Sequence, residues 1–338
     1  MITMRDVADL AGVSITTVSH VVNGTRAVAP STKDRVLAAV AQTGYTGDAI
    51  ARSLVTGGTR SLGLALPLGN NPHFAELTGA IEAAATAAGY ALILADTHDE
   101  GDAEAAAIRV LRSRRVDGVL LTPSADAPTS VLPELRRLGV PVVLVDRVPE
   151  HTGVDQVGPE NVQATSDLVR HLGELGHRRI AMISGPQSVS TSAERVLGYR
   201  LGLGRAKLVW DQALVRGVAP GEAGAALAEL LDGPDSPTAV VAGDNTALVE
   251  VLRVARERGL AIGRDLAIVA HDDADWTALV EPAITTTAQP VTEIGATAVR
   301  MLLARIADPS KDAETVRIPP ILMHRQSCGC AVVVSAAS

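Results

Sequence analysis

Twenty residues near the start of the chain, MRDVADLAGVSITTVSHVVN at 4–23, tolerate few backbones. Ala8, Gly12 and Val18 occupy the fifth, ninth and fifteenth places of that stretch. The spacing suits two short helices joined by a tight turn. Ala8 is small where the second helix must cross, and Gly12 offers a left-handed turn residue without the steric cost of a Cβ. Val7, Val13, Val18 and Val21 supply an apolar face, and Ser14 stands at the N-cap of the second helix. For these residues alone an ordinary amphipathic helix pair is the plainer alternative to a helix-turn-helix. The next two segments of the chain weigh against it.

The stretch PSTKDRVLAAV at 30–40 opens with a capping-box-like Ser31…Asp34 and leads to a stop at Gly44. A further short helix is expected over GDAIARSLV at 47–55, with Thr56-Gly57-Gly58-Thr59 as a joint. A helix of that length is marginal in water and should form only against a packing surface.

From Thr59 onward, short apolar runs alternate with Ala-rich amphipathic stretches. Strands are expected at 61–66, 91–95, 118–122, 142–146, 180–184, 240–243 and 267–270. Helices are expected at 75–88, 103–112, 133–138, 161–175, 192–203, 221–231, 246–258 and 291–306. Continuously apolar strands separated by helices mean parallel sheets covered on both faces. In such sheets ligands bind beyond the carboxyl ends of the strands, so the residues just after each strand are the ones to inspect.

Head, joint and body together resemble the LacI/GalR (lac-repressor-type) family of bacterial transcription regulators. The resemblance runs from about residue 3 to about residue 329 and is carried by the quoted head, by AIARSL at 49–54, and by NPHF at 71–74. RRVDGVLL at 114–121, PVVLVDR at 141–147, LGHRRIA at 175–181, RVLGY at 195–199, HDD at 271–273 and HRQSCG at 324–329 extend it. It implies an α-helical DNA-binding head, residues 1–46, and a hinge helix with linker, 47–59. A bilobed α/β effector domain like the type I periplasmic binding proteins would occupy 60–338, built as two Rossmann-like parallel-sheet lobes. The N-lobe would span about 60–158 and 288–318, and the C-lobe about 159–287 and 319–338.

For the head, the resemblance makes Ile15, Thr16 and His20 the base readers, with Ile15 suited to a thymine methyl. Many family members carry Arg where His20 stands, and a histidine need not be charged at neutral pH. Thr3, Ser14, Thr17, Ser19, Asn23, Thr25, Arg26 and Arg52 join the DNA-contacting set, chiefly as phosphate positioners that set register. Leu54 matches the leucine that wedges into the minor groove at the operator centre. Packing against its twin in a dimer is the simpler alternative.

For the cleft, the same resemblance nominates Asn71, His73, Phe74, Asp99, Asp146, Arg147, Thr191, Arg195, Asp244, Asp272, Trp276 and Gln289 as effector-binding residues. Phe74 has two readings, a stacking wall or core, and His73 stands where the family usually has an aromatic. Arg195 carries a fork of donors suited to vicinal hydroxyls or a carboxylate. Trp276 could stack on a ligand or fill core. Asp244-Asn245 inverts the family's usual Asn-Asp, and Ala288 replaces a common arginine beside Gln289. A sugar or similar polyol fits this set first and a nucleobase second.

Charge supports the division. Residues 1–60 hold six Lys/Arg and four Asp/Glu, against 24 and 34 in the rest, so a mildly basic head sits on an acidic body within a net charge of −8. An acidic body repels DNA outside the head, and a weakly basic head needs dimerisation for useful affinity. The expected partners are double-stranded operator DNA, a small-molecule effector and a second copy of the chain. No apolar run reaches the roughly 18–20 residues of a membrane span, and no secretory signal is read, so a cytoplasmic, membrane-free protein is expected. His324, Cys328 and Cys330 raise the thought of a metal, but three ligands on a tail are too few, and neither metal nor cofactor is expected. A periplasmic binding protein would lack the head. A dinucleotide enzyme would need G-x-G-x-x-G after an early strand, where this chain has LPLGNN at 66–71. No G-x-S-x-G, H-E-x-x-H or P-loop is present, so no enzyme is expected.

Overall fold

The computed structural model describes residues 2–23, 26–45, 58–69 and 71–330. Two compact units divide the chain, one holding the residues up to Ser61 with 115–117, the other the remainder.

In the first unit, α1 (Met4–Ala11) and α2 (Ile15–Asn23) form the expected pair. Gly12 closes α1 at φ +64°, the left-handed conformation that its place in the motif requires. Ser14 caps α2, its Oγ accepting from the Thr17 N–H at 3.1 Å. Thr3 and Asp6 form a capping box on α1: the Thr3 N–H donates to Asp6 Oδ2 at 2.6 Å, and the Asp6 N–H to Thr3 Oγ1 at 3.4 Å. The next helix, α3 (Pro30–Thr43), corrects one expectation. Its N-cap is Ala29, without a side-chain bond, and Ser31…Asp34 forms no capping box. Pro30 sets the start: its fixed φ and missing N–H suit the first helical position, which leaves Ser31 already inside the helix. Gly44 ends α3 at φ +64°, as the sequence suggests. Val7, Ala8, Ala11, Val18, Val36, Ala39 and Tyr45 pack into one small core. The helix expected at 47–55 lies outside the described residues.

The second unit is built on two six-stranded sheets. In chain order the first lobe brings β1 (Ser61–Leu66), α4 (Pro72–Ala87), β2 (Ala91–Asp96), α5 (Gly101–Ser113), β3 (Gly118–Leu121), α6 (Val131–Arg137), β4 (Val142–Val145) and β5 (Asp155–Pro159). The second lobe comprises α7 (Asn161–Glu174), β6 (Ile180–Ser184), α8 (Ser190–Arg205), β7 (Val215–Gly217), α9 (Ala223–Asp232), β8 (Ala239–Ala242), α10 (Asn245–Glu257), β9 (Ala267–His271) and β10 (Thr285–Ala288). The chain then returns through α11 (Val291–Ala307) to β11 (Thr315–Ile318) in the first sheet, and ends with β12 (Ile321–Met323) in the second. The strand orders are β11-β5-β4-β3-β1-β2 and β12-β10-β9-β8-β6-β7. The chain therefore crosses between the sheets three times. Two crossings leave neighbouring strands of the first sheet, where Pro159 is in register with Ile318. The ends of two crossings also meet in the second sheet, where Ala288 is in register with Ile321.

Alternation along the strands explains why the apolar runs are continuous. Ile180 and Met182 of β6 face one core with Leu168, Leu172 and Tyr199, while Ala181 and Ile183 face the other with Leu227, Leu248 and Val251. Helices cover both faces, so neither set of side chains can be polar. The first lobe centres on Leu62, Leu64, Leu66, Leu77, Ile81 and Leu302. On the opposite side of the cleft, α7 and α8 touch closely. A Cβ at Gly198 would lie 2.3 Å from the Val162 carbonyl oxygen, and one at Gly202 would lie 2.7 Å from that of Ser166. Among the described residues, no helix is long and apolar enough to cross a membrane.

Candidate functional site

The strand ends of the two lobes open onto one cavity of about 710 Å3. From the first lobe, Asn71, His73, Phe74, Asp99, Asp146 and Arg147 line it. From the second come Thr191, Arg195, Asp244 and Asp272. Ten of the twelve nominated cleft residues thus share one wall-to-wall space.

His73 and Asp146 form its most tightly held pair. Asn71 caps α4 by accepting from the His73 N–H at 3.1 Å, which fixes the start of the helix that carries the imidazole. His73 Nε2 lies 2.7 Å from Asp146 Oδ1, and both residues are buried. Burial alone would lower the histidine's pKa, but the charge and hydrogen bond of Asp146 raise it to about 9. The ring is therefore an imidazolium at neutral pH and donates to the carboxylate. Burial also pushes the Asp146 carboxyl upward, but the His73 charge and hydrogen bond, with Arg147 and Arg195, hold it below the ordinary range. The second buried imidazole behaves oppositely. His271 sits between the hydroxyls of Thr165 at 2.8 Å and Thr287 at 2.9 Å, and burial, with the charge of Arg195, pushes its pKa well below the ordinary histidine value.

Arg147, next to Asp146, grips Asp99 through both terminal nitrogens and also donates to the Pro123 carbonyl at 3.1 Å. Across the cavity, Arg195 donates from Nε to Asn161 Oδ1 at 3.2 Å and from one terminal nitrogen to the Gly243 carbonyl at 2.5 Å. Its other terminal nitrogen lies 3.5 Å from Asp272 Oδ1, which also accepts from Gln289 Nε2 at 2.6 Å. Asp146 and Asp272 take the same unusual backbone, with φ of +70° and +66°, just past β4 and β9. Non-glycine residues pay for that conformation, and aspartate tolerates it better than most. The two lobes thus present matching carboxylates from matching strand ends.

Asp244 lines the cavity and caps α10, accepting from the Ala247 N–H at 2.8 Å, while burial pushes its carboxyl up. The inversion with Asn245 keeps a competent cap, since Asp and Asn serve about equally well at the N-cap. Asn245 itself is 2% exposed, and among the described residues neither end of its amide has a hydrogen-bond partner. Gln289 lines a smaller adjoining cavity of about 220 Å3 with His73, Glu76 and Asp272. Trp276 lines neither. It is half-buried and packs against the second lobe's core. Phe74 packs into the first lobe's core and also lines the cavity.

Sequence reasoning missed Asn161, which holds Arg195, and Glu250 on the cavity wall. Asn161 starts α7 immediately after β5, a strand too mixed in character to be read, so no strand end pointed to it.

In the head, Ser14, Ile15 and Thr16 are exposed at the start of α2, and the exposure of Ile15 reaches 41%. Thr17, Ser19 and His20 are half-buried on the same helix, and Asn23 ends it. Arg26 is exposed, and Thr3 caps α1. Thr25, Arg52 and Leu54 lie outside the described residues.

Comparison with known proteins gives two family matches: residues 3–48 match bacterial regulatory proteins of the lacI family, and residues 169–328 match a periplasmic binding protein-like domain. The chain is 35% identical over 331 residues to the HTH-type transcriptional repressor PurR of Pectobacterium carotovorum subsp. carotovorum (strain PC1), covering 97% of each chain. It is 36% identical to that of Proteus mirabilis (strain HI4320), again with 97% coverage of both. Among solved structures, a complex of the transcriptional regulator CelR with cellobiose matches at 31% identity and a TM-score of 0.71, covering 97% of this chain and 100% of that one. The Lac repressor bound to ONPG matches at 26% identity and a TM-score of 0.84, covering 96% and 99%.

Proposed function

The chain belongs to the lacI family of bacterial regulatory proteins, and on that footing we propose a repressor that binds a pseudo-palindromic operator as a homodimer and is switched by a sugar or similar polyol in the cleft. Membership makes it a DNA-binding transcription regulator and not an enzyme. The observation that carries the ligand reading is the set of buried, oppositely charged groups from both lobes around one cavity: His73, Asp146, Arg147, Arg195 and Asp272. Hydroxyl groups both donate and accept, so a polyol satisfies cations and carboxylates together without carrying charge itself. The cavity falls within the roughly 300–1,000 Å3 of small-molecule sites. Similarity to a regulator solved with cellobiose supports the sugar class. A nucleobase is the second reading, favoured by the Phe74 ring on the cavity wall.

Ligand held by both lobes favours one lobe orientation, and the hinge helices would transmit it by pairing or melting. By linkage, operator must change ligand affinity by the same factor that ligand changes operator affinity. Operator selection from random DNA with the purified protein, repeated with sugars and nucleobases, tests the whole reading. One palindrome released or tightened by one compound supports it and fixes the sign. Recovery of no preferred sequence sinks it.

Two substitutions dissect the DNA half. His20→Arg shifts the selected operator, at about 1–3 kcal/mol for the base pair concerned. The same selected sequence from both proteins would remove His20 from the readers. Leu54→Ala weakens specific operator binding by roughly tenfold or more, since an apolar side chain buried on binding contributes about 1.5–3 kcal/mol. Ligand affinity of the free protein stays unchanged. An operator affinity equal to that of the unsubstituted protein would end the wedge proposal.

A further inference from the structure

Four potential metal ligands from distant parts of the sequence converge on the second lobe, on residues the cleft does not use. His171 lies in the last turn of α7, His324 comes just after β12, and Cys328 and Cys330 lie on the turn beyond it. One ligand atom from each lies within 4.8 Å of all the others. We propose that His171, His324, Cys328 and Cys330 form a structural Cys2His2 zinc site that clips the end of the chain to α7.

The geometry fits. With Zn–S near 2.3 Å and Zn–N near 2.0–2.1 Å, a tetrahedron has ligand–ligand edges of about 3.3–3.8 Å. Two edges already lie in that range: Cys328 Sγ to His324 Nε2 at 3.4 Å, and Cys330 Sγ to His171 Nε2 at 3.5 Å. A thiol–imidazole contact could explain either distance alone. It does not explain two such pairs drawn together, with the rings of His171 and His324 crossed at 84° and their centroids 5.0 Å apart. The sequence expectation of no metal rested on a count of three ligands; the fold adds the fourth from 153 positions before His324 in the numbering.

The ligands also stand on rigid supports. Ser327 fixes the turn to both β9 and β10: its Oγ accepts from the Thr285 N–H at 2.8 Å and donates to the Ile268 carbonyl at 2.5 Å. Between the cysteines, Gly329 has φ +84° and lies so close to Gly263 that a Cβ would come within 2.5 Å of its carbonyl oxygen. That turn is available to glycine alone and brings both sulfurs to the same side. Cys328 is fully buried against Leu168, Leu172 and Met182, whereas His324 is exposed and Cys330 half-buried, leaving an entry path for the ion. Two thiolates and two imidazoles in a closed tetrahedron suit Zn2+, and thiolate softness argues against Mg2+ or Ca2+. Binding would release the thiol protons to solvent and leave the site neutral.

The test uses the full chain, purified under reducing conditions with an affinity tag that contains no histidine. Elemental analysis after zinc loading and dialysis is expected to give one zinc per chain. Co2+ in its place should show the d–d bands of a tetrahedral site and a thiolate charge-transfer band. Cys330→Ser and His324→Ala, at accessible positions that should not disturb folding, lose the stoichiometric zinc and the charge-transfer intensity or the tetrahedral bands. His171→Ala does the same, although it lies far from the tail in sequence. Chelation lowers the melting temperature of the unsubstituted chain and leaves that of Cys330→Ser unchanged. Absence of stoichiometric zinc together with absence of cobalt bands would overturn the proposal. So would a metal-free native protein whose mass is two hydrogens low through a Cys328–Cys330 disulfide.

Discussion

Arg195→Ala weakens effector binding by about 10- to 150-fold and leaves the operator affinity of the ligand-free protein in place. The range is the factor corresponding to about 1.5–3 kcal/mol for a hydrogen bond to a charged group. The guanidinium is already aimed: Asn161, the Gly243 carbonyl and Asp272 hold it at the cavity wall. Little side-chain entropy is then lost when a ligand arrives. The substitution leaves Asp272 with Gln289 as its donor, so some loss of stability accompanies the loss of affinity. The two are separated by calorimetric titration with the compound found in the operator screen, alongside a melting curve. An unchanged affinity in a folded variant would place the ligand away from the second lobe's wall.

His73→Phe should lower the melting temperature at pH 6 by an amount of order 10 °C. Phenylalanine keeps the aromatic character usual at this place in the family, but it leaves the buried Asp146 carboxylate without its nearest partner. Removing one member of a buried pair costs about 3–5 kcal/mol. The low end, about 3 kcal/mol, applies here because Arg147 and Arg195 still act on Asp146. The pH dependence gives a sharper signature. The His73 pKa is raised from 6.5 to about 9 in the folded protein, so its stabilisation is complete below about pH 6.5 and is lost as pH rises through 9. The Asp146 carboxyl is held low, so its share is present above the ordinary carboxylate range and is lost as pH falls through the folded value. The gap between the two proteins is therefore widest at mildly acidic pH and narrows toward pH 9. A gap that stays constant across pH 6–9 would mean that the imidazole is neutral in the folded chain.

Legibility in the sequence depended on which forces leave a mark on composition. The central strands β1, β3, β4, β6, β8 and β9 were readable because both faces are buried and their runs are apolar but for the end residues Ser61, Ser184 and His271. The strands β5, β7, β10, β11 and β12 were not. β7, β11 and β12 are short edge or near-edge strands with exposed positions, and β10 is a run of threonines whose hydroxyls find partners such as Asp273 and His271. Threonine suits a sheet through its branched Cβ, yet a search for apolar runs passes over it. The cavity residues tracked the strands. Those after β4 and β9 were found from strand ends, whereas Asn161, after the unread β5, was not. Trp276 shows the converse: a large ring near a strand end packs half-buried against the second lobe's core and lines neither cavity, a placement that sequence does not record. His171 carried no signal at all, because only the path of α7 brings it to the tail.

The three crossings between the lobes restrict what a ligand can do. They lie side by side, since Pro159 and Ile318 are register partners in one sheet and Ala288 and Ile321 in the other. Three adjacent chain segments act like the pins of a door: they permit rotation about one line and resist sliding and twisting. Rotation about that line is expected to be the softest motion between the lobes. A compound that spans the cleft is expected to act chiefly on that rotation, toward closing or toward opening. Ligands of quite different chemistry would therefore sort into two opposed groups along one axis rather than producing a separate conformation each.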